Sequence, residues 1–425
     1  MPDASRLHNV PEARRLARRV LPRPLFDYID GGAEDEFTMA ENERAFREIA
    51  FRPHMGVKVD EPRLDTTVLG TPVSLPVLLA PCGLVEMVHP DGALGVARGA
   101  TNAGTVSVLS TVAGIPPAAL AREPGPRWFQ LYGAGREQAE TRMDQASAAG
   151  FEGLVITIDT PALGLRDRDV RNGVAGPIRM NAQSVLRLGP AIMARPGWSL
   201  GMLRRRLQSS APGAASVEVP TVAMLASPFG WDDIAHFRSR WPGSLVVKGV
   251  LSGDDAVRAA DAGADAVVVS NHGGRQLEGA PATVRVLPEV VDAVGGRLEV
   301  LMDGGVRRGG DVVKALAIGA RAVMVGRPYL YALAVAGEPG VERLLDIFRN
   351  EMTRTLSLLG CPDVSELNRT WLQPKAYRLV RPESGQRSGS SGVRWSRPWP
   401  GERRRASSDR RPRWRRPARS CSPRR

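Results

Sequence analysis

Eight short apolar runs recur along the chain, each ending in small or polar residues and most leading into a helix-like pattern. They are VSLPVLLAPCG (73–83), GTVSVLS (104–110), RWFQLY (127–132), GLVITIDT (153–160), SLVVKGV (244–250), DAVVVSNHGG (265–274), RLEVLMDGG (297–305) and RAVMVGRP (321–328). Runs this short and this rich in β-branched residues have the composition of strands buried on both faces. Eight of them alternating with helices predict a (β/α)8 barrel, a TIM barrel, spanning about residues 60–360.

Segments outside that alternation predict the rest. Residues 7–49 read as helices, and FDYIDGGAEDEFTMAENERAF (26–46) carries a Gly-Gly break followed by an acidic helix start. We therefore expect an N-terminal helical cap over about residues 1–59. The stretch 173–230 exceeds the usual connection length and reads as a lid, a binding loop or a disordered segment. Packing over the barrel mouth is the expectation for it, with a membrane-surface or subunit contact as the alternative. Barrel and cap together are expected to form one domain, 1–380.

Composition changes the picture at one end only. The formal net charge is +13, yet residues 381–425 hold 15 arginines against Glu383, Glu402 and Asp409, so the remaining chain is nearly neutral. This tail has almost no aliphatic residues, and we expect it to be disordered and separate from the barrel. Arginine interleaved with tryptophan suits nucleic acid or an anionic membrane surface; a solvated appendage, or a shifted reading frame at the gene's end, accounts for the same composition. No apolar run reaches membrane-spanning length and the N-terminus lacks an apolar signal core, which predicts a cytoplasmic protein, at most peripheral to a membrane. Cys82, Cys361 and Cys421 lack metal-ligand spacing and the five histidines do not cluster with them, so no metal is expected.

Barrels of this kind gather their chemistry where strands end. Ser110, Gln130, Tyr132, Thr157, Asp159, Lys248, His272, Arg275, Asp303 and Arg327 all fall at or just after such ends. In SNHGGRQ (270–276) a histidine stands between an apolar strand and two glycines, with an arginine three residues on. The glycines permit a sharp turn, and the guanidinium fork suits a carboxylate, so a base and an anion clamp share one small space. DGGVRRGGD (303–311) and GRP (326–328) place glycines and arginines where such barrels bind phosphate, which implies a phosphorylated cofactor. Lys248, in an apolar run, should face an anion or a cofactor atom that becomes negative. Asp159 is placed to orient and stabilise a protonated histidine.

Over about residues 5–380 the chain resembles the FMN-dependent 2-hydroxy-acid oxidase and dehydrogenase family. The resemblance rests on DYIDGGAEDEFTMAENERAF (27–46), FQLY (129–132), TIDTPALGLRDRDVRN (157–172), VVKGV (246–250), SNHGGRQLEGAPAT (270–283), DGGVRRGGDVVKALAIGA (303–320) and VGRP (325–328), in the family's order. It implies oxidation of an L-2-hydroxy acid to the 2-oxo acid, with FMN as cofactor, oxygen or a redox partner as electron acceptor, and a homo-tetrameric assembly. Pro81, Cys82 and Gly83 would pass the flavin's N5 edge, while Ser110, Gln130 and Thr157 would bond its polar ring. Lys248 would sit near N1 and O2. Asp303, Gly305, Arg307, Gly326 and Arg327 would hold the ribityl and phosphate end, with Ser270 and Gly304 among the cofactor contacts. Arg275 and Arg166 would take the substrate carboxylate, Tyr28 would add a donor, Tyr132 would stand near the reacting hydroxyl, His272 would be the base and Asp159 its partner. Val112 replaces a bulky aromatic of short-chain members and implies a roomier pocket. Two other readings compete: an FMN-binding barrel of the isomerase type, which would not need His272 and Arg275 together, and a catalytically idle barrel with a nucleic-acid-binding tail.

Overall fold

The computed structural model describes residues 3–133, 135–174, 182–208 and 228–374. Eight parallel strands close into a barrel in chain order: β1 (Val77–Leu79), β2 (Ser107–Ser110), β3 (Arg127–Leu131), β4 (Gly153–Thr157), β5 (Ser244–Val250), β6 (Ala266–Val269), β7 (Glu299–Met302) and β8 (Ala322–Val325), with β8 hydrogen-bonded back to β1. All eight predicted apolar runs form these strands.

Alternation along each strand divides the core in two. Leu78, Val108, Trp128, Val155, Val246, Val268, Leu301 and Met324 pack together inside the barrel, whereas their neighbours Leu79, Leu109, Phe129, Ile156, Val247, Val267, Met302 and Val325 pack outward among the helices. Trp128 fills so much of the interior that a Cβ on Gly153 would lie 2.5 Å from its indole. A hairpin, Thr66–Val68 with Thr71–Val73, puts Val68 and Val73 into this inner cluster.

Three α-helices precede the barrel among the described residues: α1 (Val10–Val20), α2 (Arg23–Asp30) and α3 (Phe37–Arg47). Asn9 caps α1 by accepting from the Glu12 amide at 2.9 Å. The acidic start expected for α3 is supplied differently. Glu34, Asp35 and Glu36 precede the helix, and its first amides, Phe37 N and Thr38 N, donate instead to Glu278 from the segment after β6. A carboxylate at a helix N-terminus is favourable whichever segment brings it.

The connection 173–230, expected as a lid or loop, contains two helices in its described part, α4 (Ala182–Met193) and α5 (Pro196–Gln208). α4 packs against α2, and α5 on the turn after β1. Trp198 Nε1 donates to Met87 O at 3.1 Å, and Arg205 pairs with the buried Glu86. Pro190, Gly197 and Gly201 interrupt their sequence with residues that usually mark loops, which hides the helical pattern. The expectation of a disordered tail lies outside the described residues. Among the described residues, no helix is long and apolar enough to cross a membrane.

Candidate active site

The inward positions of the strands change character at the C-terminal end of the barrel. Two residues beyond Val108, Trp128, Val155, Val246, Val268 and Leu301 stand Ser110, Gln130, Thr157, Lys248, Ser270 and Asp303. All six are buried, so their polar groups must find partners. Ser110 Oγ donates to Gln130 Oε1 at 2.7 Å, and Gln130 Nε2 donates to Thr157 Oγ1 at 3.0 Å. Lys248 Nζ donates to Ser270 Oγ at 2.9 Å and lies 3.2 Å from Asp303 Oδ2. Burial opposes the lysine's charge, but the Asp303 and Asp159 carboxylates outweigh it and hold Lys248 above its ordinary value.

Above this polar floor opens a cavity enclosing about 1480 Å³ of space, its mouth included. Six cationic side chains line it, Arg142, Arg166, Lys248, Arg275, Arg307 and Arg327, against one carboxylate, Asp303. Such a wall favours an anionic occupant.

His272 enters the cavity on a strained turn. Its φ is +58°, and Gly273 and Gly274 continue in the left-handed region at +64° and +73°. A non-glycine residue held there marks a constrained site. The constraints are visible: Ser270 Oγ accepts from His272 N at 3.1 Å, and Gly274 O accepts from Ala33 N at 2.8 Å. A Cβ on Gly274 would lie 2.5 Å from the backbone of Met39, so the turn is pressed against α3. Asn271 and Asn42 exchange side-chain amide hydrogen bonds at 2.8 and 2.9 Å beneath it.

Asp159 fixes the imidazole, its Oδ1 lying 3.0 Å from His272 Nδ1. The opposite ring nitrogen, Nε2, lies 3.4 Å from the Tyr132 hydroxyl. Burial pushes the Asp159 carboxyl up, but His272 and then Lys248 more than offset this and hold it below its usual value. Burial, followed by the nearby Asp159, raises the Tyr132 phenol and keeps it protonated. Gln276 secures the segment carrying Asp159: its Nε2 donates to Asp159 O and Ala162 O at 2.8 and 2.9 Å.

The arginines are placed through the cap. Arg275 and Arg166 lie on the Tyr28 ring, 5.0 and 5.4 Å from its centroid. Arg275 donates to Tyr28 O and Gly31 O, while Arg327 donates to Gly273 O and Gly31 O. Neither has a carboxylate partner among the described residues. Burial, with the like charges of Arg275 and Arg307, lowers Arg327 to about 10. Arg166 Nε stands 2.8 Å from Asp169 Oδ2 without the alignment of a hydrogen bond, and burial followed by facing Arg275 lowers its affinity for the proton.

The cavity's far end has the form of a phosphate cradle. Gly304 and Gly305 adopt φ values of +88° and +81°, and a Cβ on Gly305 would lie 2.1 Å from Asn42 O. Gly326 precedes the helix beginning at Arg327. By contrast, the preceding helix start, at Gly309, is already capped: Asp311 accepts from Arg307 N and Arg308 N, and Glu351 from Gly309 N. Of the two arginines, Arg307 lines the cavity and pairs with Glu43, while Arg308 turns outward to Glu351. Asp303 Oδ1 and Arg327 Nε are buried without a hydrogen-bond partner among the described residues, and both residues line the cavity. An unmatched acceptor, an unmatched guanidinium N–H and glycine-bared amides fit the hydroxylated and phosphorylated chain of a flavin mononucleotide.

Of the residues singled out in the sequence, Tyr28, Pro81, Cys82, Gly83, Val112, Tyr132, Arg166, Lys248, His272, Arg275, Asp303, Gly304, Gly305, Arg307, Gly326 and Arg327 line the cavity. Ser110, Gln130, Thr157, Ser270 and Asp159 stand behind that lining: the first three are bonded to one another, with Ser110 Oγ also accepting from Val112 N, while Ser270 accepts from Lys248 and Asp159 holds His272. Sequence reading missed Gly31, Asn42 and Gln276, whose partners are remote along the chain. The Asn in SNHGG and the Gln in GGRQ were signals for the pairs at 42 and 159.

A family profile for FMN-dependent dehydrogenases matches residues 17–374. The L-lactate dehydrogenase of Caulobacter vibrioides is 45% identical over 378 residues, covering 86% of this chain and 97% of that one. The L-lactate oxidase of a Nostoc species is 40% identical over 371 residues, covering 86% and 97%. Among solved structures, (S)-mandelate dehydrogenase, described as a monotopic membrane protein, superposes with a TM-score of 0.79 at 39% identity, covering 87% of this chain and all of that one.

Proposed function

The chain belongs to the FMN-dependent dehydrogenase family, and from that premise we propose that it oxidises an L-2-hydroxy acid to the 2-oxo acid, with His272 as base and Arg275 and Arg166 binding the carboxylate. The observation that carries this reading is the juxtaposition of His272, buttressed by Asp159, with two guanidiniums on the one Tyr28 ring.

FMN, when bound, supplies a two-electron acceptor. Lys248, Ser110, Gln130 and Thr157 would hold its ring system, and Gly304, Gly305, Arg307, Gly326 and Arg327 its phosphate end. The substrate must lose two protons with its two electrons, one from the hydroxyl and one from the α-carbon. With Nδ1–H donated to Asp159, the lone pair of Nε2 would take one of them, and the other would leave with the two electrons for the acceptor that FMN supplies. The resulting imidazolium is stabilised by the Asp159 carboxylate. Tyr132, protonated and within reach of Nε2, would donate to the substrate oxygen. Carbonyl groups of Tyr28 and Gly31 hold the Arg275 fork in place before substrate arrives, which lowers the cost of ordering it.

Anaerobic mixing of the yellow protein with L-lactate, L-mandelate and longer L-2-hydroxy acids tests this reading. Loss of the oxidised flavin absorbance is expected. Bound flavin that no member of the panel bleaches would overturn it.

We also infer a peripheral contact with an anionic membrane surface. Met193, Leu200, Leu203 and Leu207 are exposed at 80, 49, 52 and 77% on α4 and α5, with Arg195 and Arg204 among them. Co-flotation with anionic vesicles, lost when these four residues are made polar, is the expected result.

A further inference from the structure

A second cavity, of about 590 Å³, adjoins the first and shares Tyr28 and Val174 with it. Its other walls come from α2, from α4 and α5, and from the turn after β1, including Leu25, Leu84, Leu188 and Trp198. Among the described residues of this lining, Tyr28 carries the only side-chain hydroxyl. Trp198 Nε1 is already donated to Met87 O, so a polar occupant would find little to bond and would be penalised on entry.

Backbone strain aims the walls. Gly83 and Leu84 are adjacent in the chain, yet Gly83 lines the reaction cavity and Leu84 the second one. Leu84 achieves this at φ +56°, in the left-handed region, with its amide donated to Val112 O at 2.9 Å and its side chain buried. A leucine held in that conformation is costly enough to need a reason, and lining an apolar chamber beside the reaction cavity supplies one.

Resting on the function proposed above, we propose that the second cavity binds the aliphatic tail of the substrate, making this a site for L-2-hydroxy acids with an unbranched chain of about six to ten carbons. The carboxylate and hydroxyl stay with Arg275, Arg166 and His272, and the alkyl chain passes the Tyr28–Val174 boundary. A headgroup in a cationic chamber joined to a tail in an apolar one matches the two linings with a single ligand.

The experiment uses the FMN-loaded enzyme and the L-2-hydroxy acids of three, four, six, eight and ten carbons. Anaerobic flavin reduction should give kcat/KM rising by about fourfold per added methylene, the worth of one buried methylene. Ala191→Trp, which fills the second cavity without touching the first, should leave L-lactate unchanged and flatten the rise. Binding is read separately by fluorescence: 2-hydroxyoctanoate should perturb tryptophan emission, and Trp198→Phe should remove most of that change. A flat or falling series with L-lactate still turning over would overturn the tail site while leaving the proposed reaction intact. So would a rise that survives in Ala191→Trp while the variant keeps the native flavin spectrum. Failure of every member, L-lactate included, would overturn the reaction and the tail site with it. If 1-octanol perturbs Trp198 as strongly as 2-hydroxyoctanoate does, the cavity takes a separate apolar ligand and the proposal fails.

Discussion

His272 Nδ1 lies 3.0 Å from Asp159 Oδ1, a contact between residues 113 positions apart that reach it from the ends of β6 and β4. Asp159 leaves its second oxygen without a hydrogen-bond partner among the described residues, so its one side-chain hydrogen bond there goes to the imidazole. Asp159→Asn keeps the shape and removes the charge that stabilises an imidazolium. We expect the rate of flavin reduction to fall by about 10²–10⁴-fold for every substrate, with the protein still yellow. Stopped-flow reduction under anaerobic conditions is the measurement, and an unchanged rate would remove Asp159 from the mechanism.

The turn carrying His272 tolerates little. Gly274 sits at φ +73°, and a Cβ there would meet the Met39 backbone at 2.5 Å. Gly274→Ala should therefore cost at least about 1–3 kcal/mol and displace His272. Urea unfolding should show the loss of stability, and activity should fall further than stability alone explains. Gly279→Ala, at φ +82° with open space around its Cβ, separates backbone strain from the clash.

How much of this was legible in the sequence follows from how local each signal is. The strands were legible because alternation and β-branched content are read within one run. The polar floor was legible in part, since Lys248 and Asp303 interrupt apolar runs. Glu278 capping α3, Asn42 pairing with Asn271 and Gly31 serving two arginines were not, because each joins segments separated by more than 200 residues. The helical form of α4 and α5 was hidden for a different reason: their glycines and prolines are loop signals, and packing of α4 on α2 and of α5 on Glu86 and Met87 outweighs them.

Asp30 anchors the cap to the barrel. Its buried carboxylate accepts from Arg14, from Arg168 at 2.8 Å and from Tyr331 at 2.8 Å. Burial pushes this carboxyl up, but the Arg14 hydrogen bonds and charge dominate and hold it at about 2, below the ordinary 3.8. A folded value below the unfolded one stabilises the fold above about pH 4, and the contribution is lost as pH falls through about 2. That separation corresponds to about 2 kcal/mol. Denaturant titrations between pH 2 and 6 should show a decline on the acid side that Asp30→Asn flattens, at the expense of lower stability at pH 7.

Arg275 and Arg327 bring charge into the cavity without a carboxylate beside them among the described residues, so an anion there should stabilise the fold. Flavin-free protein should melt higher as FMN is added, by the amount mass action sets: about 2.7 kcal/mol at a hundredfold excess over Kd. Inorganic phosphate should give a smaller rise. Arg327→Met should weaken both responses, because it removes the unmatched Nε–H. Calorimetry that finds no ligand-dependent rise in the wild-type protein would contradict the cradle assignment.

Val112 sets the width of the reaction cavity beside Gly83. It is 5% exposed, and a Cβ added to Gly83 would lie 3.1 Å from Val112 Cγ2 and 3.3 Å from the Tyr28 hydroxyl. The small pair Gly83 and Val112 thus leaves room that a bulkier residue at either position would take. Val112→Trp should shift kcat/KM toward glycolate and L-lactate and away from aromatic and longer 2-hydroxy acids. Overpacking costs about 1–3 kcal/mol of stability, so the readout is the ratio of kcat/KM between substrates, which loss of folded enzyme leaves unaltered. Discrimination in an apolar pocket runs to roughly 10–200-fold for one methylene, and a shift of at least tenfold in the glycolate-to-mandelate ratio is expected. If glycolate is already the best substrate of the unmodified enzyme, the space beside Val112 does not receive the substrate side chain and the width argument is wrong.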